Sequence, residues 1–423
     1  MATGTGKTFT AIKAIEAIES QEGKCIVGIV VPQTDLQEQW RAALEEEGIQ
    51  CRLFGGLAKR PAEDEFDNVV IDFYDGDETI VFVAVNITFF DKVVKGFGDL
   101  TDAKRLLVVD EVHTLSKSQI DRLPDVDYRL GLSATPKRFS QDETDSIIDY
   151  FTNGAVKPFA FGIEDAIGMG FLSRYYYHPI LVAIDEDDFE EFSKWQKRIA
   201  TLMNAEIIDQ DKLEEARLAR SRVLKKAPAK LRKLERMVSS SDYSFVNSVV
   251  YCGQGNEPGT DDSIIDRTIG ILAEEGGYTV SSFTTKTINR VAVIKEFENG
   301  FFDTLVAIKC FDQGVDVPKL DKIFIMASDA STRQTIQRRG RVLRKCSETG
   351  KQFANIYDMI LVPPITKEAS APAKSLLQIE LGRAREYGRI AENWDQVEET
   401  MLQLMRDNDI EELSGEAEND DID

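Results

Sequence analysis

The sequence is poor in the residues that bind metals or form covalent cross-links. Its 423 residues include five cysteines and two histidines, and no two cysteines have the C-x-x-C spacing. Structural zinc and iron–sulfur sites therefore have little support. Cys25, Cys252 and Cys310 lie in apolar runs, which favours buried free thiols in a reducing compartment. We expect a cytoplasmic protein.

Long apolar runs and excess positive charge are also missing. No stretch approaches the roughly eighteen consecutive apolar residues of a membrane-spanning helix, so we expect no membrane partner. The net charge of −23 argues against a protein held to nucleic acid by bulk attraction, although local contacts with phosphates stay open. The length predicts about two to three domains.

The first chemical motif is a glycine-rich phosphate loop, A-T-G-T-G-K-T, at residues 2–8. Gly4, Thr5 and Gly6 would turn the backbone so that successive N–H groups point at phosphate oxygens, next to a helix N-terminus. Lys7 would reach the β- and γ-phosphates of ATP, and Thr8 would ligate Mg²⁺ through its hydroxyl. The alternative is an ordinary loop, which the paired glycines and the G-K-T sequence disfavour.

A second motif, R-L-L-V-V-D-E-V-H, spans residues 105–113. Its apolar run predicts a buried parallel strand that delivers two adjacent carboxylates to the carboxyl edge of a sheet. Asp110 would hold the Mg²⁺ that bridges the phosphates, and Glu111 would orient and deprotonate the attacking water. Taken alone, such a pair is more often a solvated turn.

The order of these and later motifs resembles that of superfamily 2 helicases and translocases of the DExH-box kind. The residues within the motifs are most similar to those of the XPB-like DNA helicase branch. The resemblance covers nearly the whole chain. The matching segments are V-V-P-Q-T-D-L-Q-E-Q-W at 30–40, D-E-V-H at 110–113, S-A-T at 133–135, C-F-D-Q-G-V-D-V-P at 310–318 and Q-R-R-G-R-V-L-R at 337–344.

The resemblance implies further nucleotide contacts from the second half of the chain. Gly314 and Asp316 match the motif that contacts the ribose. Gln337 matches the polar residue facing the γ-phosphate, while Arg341 and Arg344 match arginines that neutralise charge on the transferred phosphoryl group. In that family the two domains close on one ATP. The alternative for this run is a basic helix face that contacts only solvent or phosphate backbone.

Three residues are implied to couple sites rather than to do chemistry. His113, Ser133 and Thr135 match positions that link the nucleotide to nucleic acid and to the second domain. A histidine after a strand is more often structural, so both interpretations remain open.

Alternating strand and helix patterns predict an α/β fold. We expect two RecA-like doubly wound parallel-sheet domains in tandem, with a mostly helical insertion between them and a C-terminal helical extension. The predicted boundaries are a first domain at 1–153, a connector and charged insertion at 154–242, a second domain at 243–370, a helical segment at 371–406 and a disordered acidic tail at 407–423.

Nucleic acid is the expected partner, with DNA favoured over RNA because of the resemblance. Thr34 and Thr88, each just after a predicted strand, are the residues expected to contact one strand. Residues 212–236 hold ten Lys and Arg against three Glu. This segment is either a solvated helix face or a contact to the nucleic-acid backbone through Arg217, Arg220, Arg222, Lys225 and Lys226. The acidic tail is a possible site for a protein partner.

The start of the sequence departs from the family. The strand that should precede the phosphate loop would lie before Ala2, as would the glutamine segment that reads adenine. We therefore expect a truncated first domain whose sheet has an unpaired edge in its middle and whose loop lacks an anchor. The expected function is an ATP-dependent nucleic-acid helicase or translocase, and the alternative is a weakly catalytic remnant that only binds nucleic acid or a partner. A nucleotide kinase or transport ATPase is a distant third.

Overall fold

A computed structural model describes residues 1, 3–58, 62–134, 141–154, 156–205, 207–308, 317–328, 332–365 and 370–413. The chain divides by its internal contacts into two compact units, Met1–Ala166 and Ile167–Asp423. Each unit contains one sheet in which every strand pairing is parallel. The predicted class of two parallel-sheet α/β domains is confirmed.

The sheet of the first unit has five strands in the order β2-β3-β1-β4-β5. The strands are β1 Ile26–Val31, β2 Cys51–Phe54, β3 Ile80–Val85, β4 Arg105–Val109 and β5 Tyr128–Gly131. The helices are α1 Lys7–Glu22, α2 Thr34–Glu46, α3 Ala62–Asp75, α4 Asn86–Thr88, α5 Val94–Asp99, α6 Lys117–Ile120 and α7 Gln141–Thr152, with a π-helical turn at Phe89–Val93 and a 3₁₀ turn at Val112–Thr114. Helix α8, Ile163–Gly168, runs across the division between the two units.

Both faces of this sheet are covered, because the central strands are apolar on both sides. In β1, Val27, Ile29 and Val31 pack in one core with residues of α1 and α2. Ile26 and Val30 pack in a second core on the opposite face. This arrangement explains why β1 reads as a continuous apolar run and not as an alternating one.

The expected gap in the middle of this sheet is wrong. β1 pairs with β3 on one side and β4 on the other, and β4 pairs with β5, so the five strands are contiguous. Among the described residues the sheet ends at β2 on one side and at β5 on the other, and all four residues of β5 are half-buried. The phosphate loop is also anchored, because α1 buries Ala11, Ile12 and Ile15 in the core.

The sheet of the second unit has six strands in the order β6-β11-β10-β7-β9-β8. The strands are β6 Arg174–Ala183, β7 Ser248–Tyr251, β8 Val280–Phe283, β9 Thr304–Ala307, β10 Lys322–Ile325 and β11 Phe353–Val362. The helices are α9 Glu186–Met203, α10 Gln210–Lys226, α11 Pro228–Val238, α12 Ile264–Gly270, α13 Arg290–Glu298, α14 Thr332–Val342, α15 Ala371–Gly388 and α16 Trp394–Asp407, with a π-helical turn at Ile271–Glu275.

The division between the units differs from the predicted boundary after residue 153. It lies at residue 166, and β6 belongs to the second sheet although its residues were assigned to the connector. β6 pairs with β11 over ten residues, from Arg174↔Phe353 to Ala183↔Val362. Pro179 weakens the strand pattern in the sequence, but β6 is an edge strand, where a proline is tolerated.

The charged segment between β6 and β7 forms α9, α10 and α11. Its acidic run falls in the first turn of α9, where negative charge stabilises the helix dipole. Pro228 is the first residue of α11 and separates it from α10. Arg220 is 2% exposed and donates a hydrogen bond to Gln196 Oε1 at 2.8 Å, so neither alternative, a solvated face or a contact to the nucleic-acid backbone, fits this residue. The other four basic residues of that group are at least partly exposed.

Candidate nucleotide site and nucleic-acid edge

The phosphate loop turns at two glycines. Gly4 has φ 80° and Gly6 has φ 84°, a left-handed conformation that favours glycine. Gly6 immediately precedes α1, and the first turn of α1 has no acidic residue. The first N–H groups of a helix have no partner within it, so this turn can bind an anion.

The loop lies against the acidic pair that follows β4. Lys7 Nζ is 3.4 Å from Glu111 Oε1, and the two side chains are 12% and 17% exposed. Glu111 has φ 47°, which is uncommon for a non-glycine residue and typical of constrained functional positions. The structure thus brings together Lys7 and Glu111, which are 104 residues apart in the sequence.

Asp110 is 5% exposed and receives a hydrogen bond at each carboxylate oxygen. The Glu111 amide donates to Oδ1 at 2.9 Å, and the Trp40 indole donates to Oδ2 at 2.9 Å. Burial, followed by the charge of Glu111, raises the pKa of Asp110 to about 6. A cation beside this carboxylate would restore its ionised form.

Asp110 and Thr8 carry oxygen atoms of the kind that bind Mg²⁺ together with a nucleotide. Within the described part of the chain, no group of three or more His, Cys, Asp or Glu side chains could hold a metal ion by itself. Mg²⁺ typically takes one or two protein oxygens and completes its shell with phosphates and water. One hydroxyl on the first turn of α1 and one buried carboxylate match that pattern.

His113 and Ser133 join the acidic motif to the segment after β5. His113 Nδ1 lies 3.0 Å from Ser133 Oγ and 3.4 Å from Glu111 Oε2. The amino group of Met1 donates to Ser133 O at 3.1 Å. One imidazole ring thus contacts both Glu111 and Ser133. Thr135, the third residue predicted to take part, lies outside the described residues.

Thr34 and Thr88 meet at a pair of glycines that follows β2. Gly55 and Gly56 have φ 67° and 56°. A Cβ added to Gly55 would lie 1.9 Å from Thr88 Oγ1, and one added to Gly56 would lie 3.0 Å from Thr34 Oγ1. The two predicted threonines thus share one edge of the first unit, together with Ile87, which is 73% exposed. We call residues 34, 55, 56, 87 and 88 the glycine edge.

Gln37 and Trp40 are the functional candidates that sequence reasoning missed. Gln37 is fully buried and binds the backbone on both sides of the glycine edge, while Trp40 binds Asp110. In the sequence both look like ordinary residues of an amphipathic helix, and no pattern identifies their partners. The Gly55–Gly56 pair after a short apolar run did carry a signal, because adjacent glycines mark turns with special backbone angles.

In the second unit, α14 carries the basic motif on a largely buried surface. Arg338 donates to Ala327 O at 2.9 Å and stacks on the Tyr251 ring at 3.9 Å, and Arg339 donates to Glu386 O at 2.6 Å. Gln337 and Arg341 are each 6% exposed, and Arg344 is half-buried. A solvated basic face is therefore wrong for Arg338, Arg339 and Arg341.

The remaining predicted nucleotide contacts, Gly314 and Asp316, lie outside the described residues. No described helix combines the length and the apolar character needed to cross a bilayer.

Residues 1–138 match the family described as type III restriction enzyme, res subunit, and residues 229–346 match the helicase conserved C-terminal domain. The chain is 24% identical over 364 residues to DNA 3′-5′ translocase XPB2 of Sulfurisphaera tokodaii, covering 81% of this chain and 73% of that protein. It is 25% identical over 356 residues to the putative DNA 3′-5′ helicase Rad25 of Halobacterium salinarum, covering 82% of this chain and 49% of that protein. The chain thus spans about half the length of Rad25.

Solved structures share the fold at low sequence identity. The DNA-bound ATP-dependent Type ISP restriction-modification enzyme LlaBIII has a TM-score of 0.57 at 15% identity, covering 96% of this chain and 28% of that one. Dbp5 of S. cerevisiae, bound to RNA and ADP BeF3, has a TM-score of 0.51 at 15% identity, covering 96% of this chain and 88% of that one.

Proposed function

Because the chain belongs to the superfamily 2 helicases, in their XPB-like branch, we propose that it hydrolyses ATP to move along nucleic acid. One observation carries the proposal above all others. Lys7 Nζ lies 3.4 Å from Glu111 Oε1, so the phosphate loop and the acidic pair occupy one edge of one sheet. A phosphate-binding lysine beside a candidate base is the arrangement that ATP hydrolysis requires.

Each residue of this edge has a separate role in the proposal. The N–H groups from Gly4 to Thr8 bind the phosphates, and Lys7 moves from Glu111 to the β- and γ-phosphates. Thr8 and Asp110 would hold Mg²⁺, which supplies neutralising charge when bound. Glu111, released by Lys7, orients the attacking water and accepts its proton.

The motif on α14 supplies the other part of the proposed chemistry. Gln337 orients the water at the γ-phosphate, and Arg341 and Arg344 neutralise the charge that develops on the transferred group. The low exposure of Gln337 and Arg341 supports this role, since electrostatic stabilisation is strongest where water is excluded.

We propose that the glycine edge binds one strand of nucleic acid through Thr34 and Thr88. The left-handed glycines bring backbone close to both hydroxyls, a setting that suits contacts to phosphate without reading sequence. DNA is favoured over RNA, because the relatives XPB2 and Rad25 are named for DNA. We expect weak binding that falls with salt, given the charge of −23.

A Glu111→Gln variant tests the proposed hydrolysis. It keeps the size of the side chain and removes the base, so turnover should fall at least a hundredfold, while binding of ATP persists. Turnover is measured as phosphate release with and without single-stranded DNA, and binding with a fluorescent nucleotide.

Glu46→Gln is the matched control, because Glu46 is an exposed residue of α2. Hydrolysis that survives in Glu111→Gln at the level of this control would show that Glu111 is not the base. Wild-type protein that shows no ATP turnover at all would refute the proposed activity itself.

Two further features complete the proposal. Cys25 and Cys346 are buried free thiols, and burial raises the pKa of Cys25 to about 11, which suits a reducing cytoplasm. The acidic tail, most of which lies outside the described residues, is proposed to contact a basic surface of a protein partner.

A further inference from the structure

We propose that helix α2 links the glycine edge to the nucleotide site, with Trp40 as a positioning residue for Asp110. The inference rests on the proposed function and adds a route by which bound nucleic acid changes ATP hydrolysis. Its basis is that two buried side chains one turn apart on α2 contact different sites. Gln37 contacts the glycine edge, and Trp40 contacts Asp110 in the nucleotide site.

Trp40 fixes one side of the Asp110 carboxylate. Its side chain is 1% exposed, and its indole N–H, which can only donate, points at Oδ2 from 2.9 Å. The other oxygen accepts from the Glu111 amide at 2.9 Å. The orientation of the proposed Mg²⁺ ligand therefore depends on where α2 holds the indole ring.

Gln37 fixes the other end of the link. Its Nε2 donates to Val83 O at 2.9 Å and to Phe54 O at 3.2 Å, and its Oε1 accepts from Leu57 N at 3.0 Å. These three bonds tie α2 to the end of β2, to β3 and to the residue that follows the two glycines. A Cβ on Gly56 would lie 2.6 Å from Gln37 Oε1, so the glycine loop packs tightly against this side chain.

The two anchors lie on the same buried face of α2. Gln37, Trp40 and Leu44 are the buried residues of the helix, and the first two are separated by a rise of about 4.5 Å. A helix moves as a unit over one turn, so a displacement of the glycine edge moves the indole relative to Asp110. This route is separate from that through His113 and Ser133, because His113 contacts Glu111, whereas Trp40 contacts Asp110.

The principal test is the coupling between nucleotide and nucleic acid in Trp40→Phe, a substitution that keeps a buried aromatic ring and removes the donor. The affinity for a fluorescent single-stranded DNA is measured with and without Mg²⁺ and a non-hydrolysable ATP analogue. In the wild type the ratio of the two affinities should differ from one, and in Trp40→Phe it should approach one. The Mg²⁺ concentration for half-maximal turnover should rise about tenfold, the loss expected when a hydrogen bond to a carboxylate is removed.

Trp195→Phe is the matched control, because Trp195 packs in the core of the second unit. It should keep the wild-type coupling ratio and Mg²⁺ dependence. A Trp40→Phe protein with the coupling ratio and Mg²⁺ dependence of this control would overturn the inference.

A spectroscopic test does not depend on how well Trp40→Phe folds. The chain has three tryptophans, so Trp195→Phe combined with Trp394→Phe leaves Trp40 as the sole one. Its emission should shift when single-stranded DNA is added without nucleotide, because the indole moves against Asp110. The inference would be overturned if the Trp40 emission stayed unchanged while anisotropy showed that the DNA was bound. It would also be overturned if the DNA did not bind at all. If the wild type lacks ATP turnover, the proposed activity fails, and a DNA-dependent shift of Trp40 emission would still uphold the link.

Discussion

Replacing Gly55 by alanine tests how the glycine edge is built. The backbone at Gly55 has φ 67°, and an added Cβ would lie 1.9 Å from Thr88 Oγ1, 2.7 Å from Thr88 Cβ and 2.9 Å from Val85 Cγ2. Contacts this short require Thr88 to move, because its Cβ is attached directly to the backbone. The variant should therefore lose stability and displace a proposed contact to nucleic acid at the same time.

Gly48→Ala separates the two costs. Gly48 has φ 77°, and an added Cβ would meet nothing within 4 Å. Both variants carry the left-handed strain of about 1–2 kcal/mol. Only Gly55→Ala adds overpacking, at about 1–3 kcal/mol. With the usual shift of about 2–4 °C per kcal/mol for a unit of this size, Gly55→Ala should melt about 2–12 °C below Gly48→Ala.

The functional part of the prediction is measured by fluorescence anisotropy with single-stranded DNA, well below the melting temperature. Loss of one hydrogen bond to a charged phosphate is worth about 1.5–3 kcal/mol, so the affinity of Gly55→Ala should fall about 12- to 160-fold below that of Gly48→Ala. Equal melting temperatures would refute the packing argument. Equal affinities, despite a lower melting temperature, would show that Thr88 does not contact the strand.

Two further variants test the second unit. Arg383→Met leaves two buried carboxylates without the guanidinium that lies 3.0–3.1 Å from them, so the free energy of unfolding in urea should fall by about 3–5 kcal/mol. Arg385→Met, at an exposed position of the same helix, should change that free energy little. Equal losses in the two variants would mean that the buried network contributes nothing to stability. Arg341→Ala should lower the kcat of ATP hydrolysis by about a thousandfold. Lys345→Ala, at an exposed position, should leave kcat within a small factor of the wild-type value. Similar kcat values for the two variants would show that Arg341 takes no part in the proposed chemistry.

The sequence predicted that each half of the chain forms a parallel sheet covered by helices. The mainly apolar runs of β1, β4, β7 and β9 are visible in the sequence, because every residue of these strands is buried. Three strands were missed: β2, which is short, β6, an edge strand whose half-exposed pattern and proline resemble a connector, and β11, a ten-residue interior strand. The interior gap was predicted wrongly because motif order says nothing about which strands are neighbours.

For the candidate site, too, some properties follow from the sequence and others only from the tertiary structure. The sequence by itself determined its chemistry, since G-T-G-K-T, D-E-V-H and Q-R-R-G-R are local patterns whose residue types dictate what they can bind. Only the tertiary structure decided the partners: that Trp40 donates to Asp110, that Gln37 clamps the glycine edge, and that Arg338 and Arg339 serve the fold. Hydrogen bonds between residues distant in the chain depend on strand order and helix packing, and the whole sequence sets these together, so no single motif contains them.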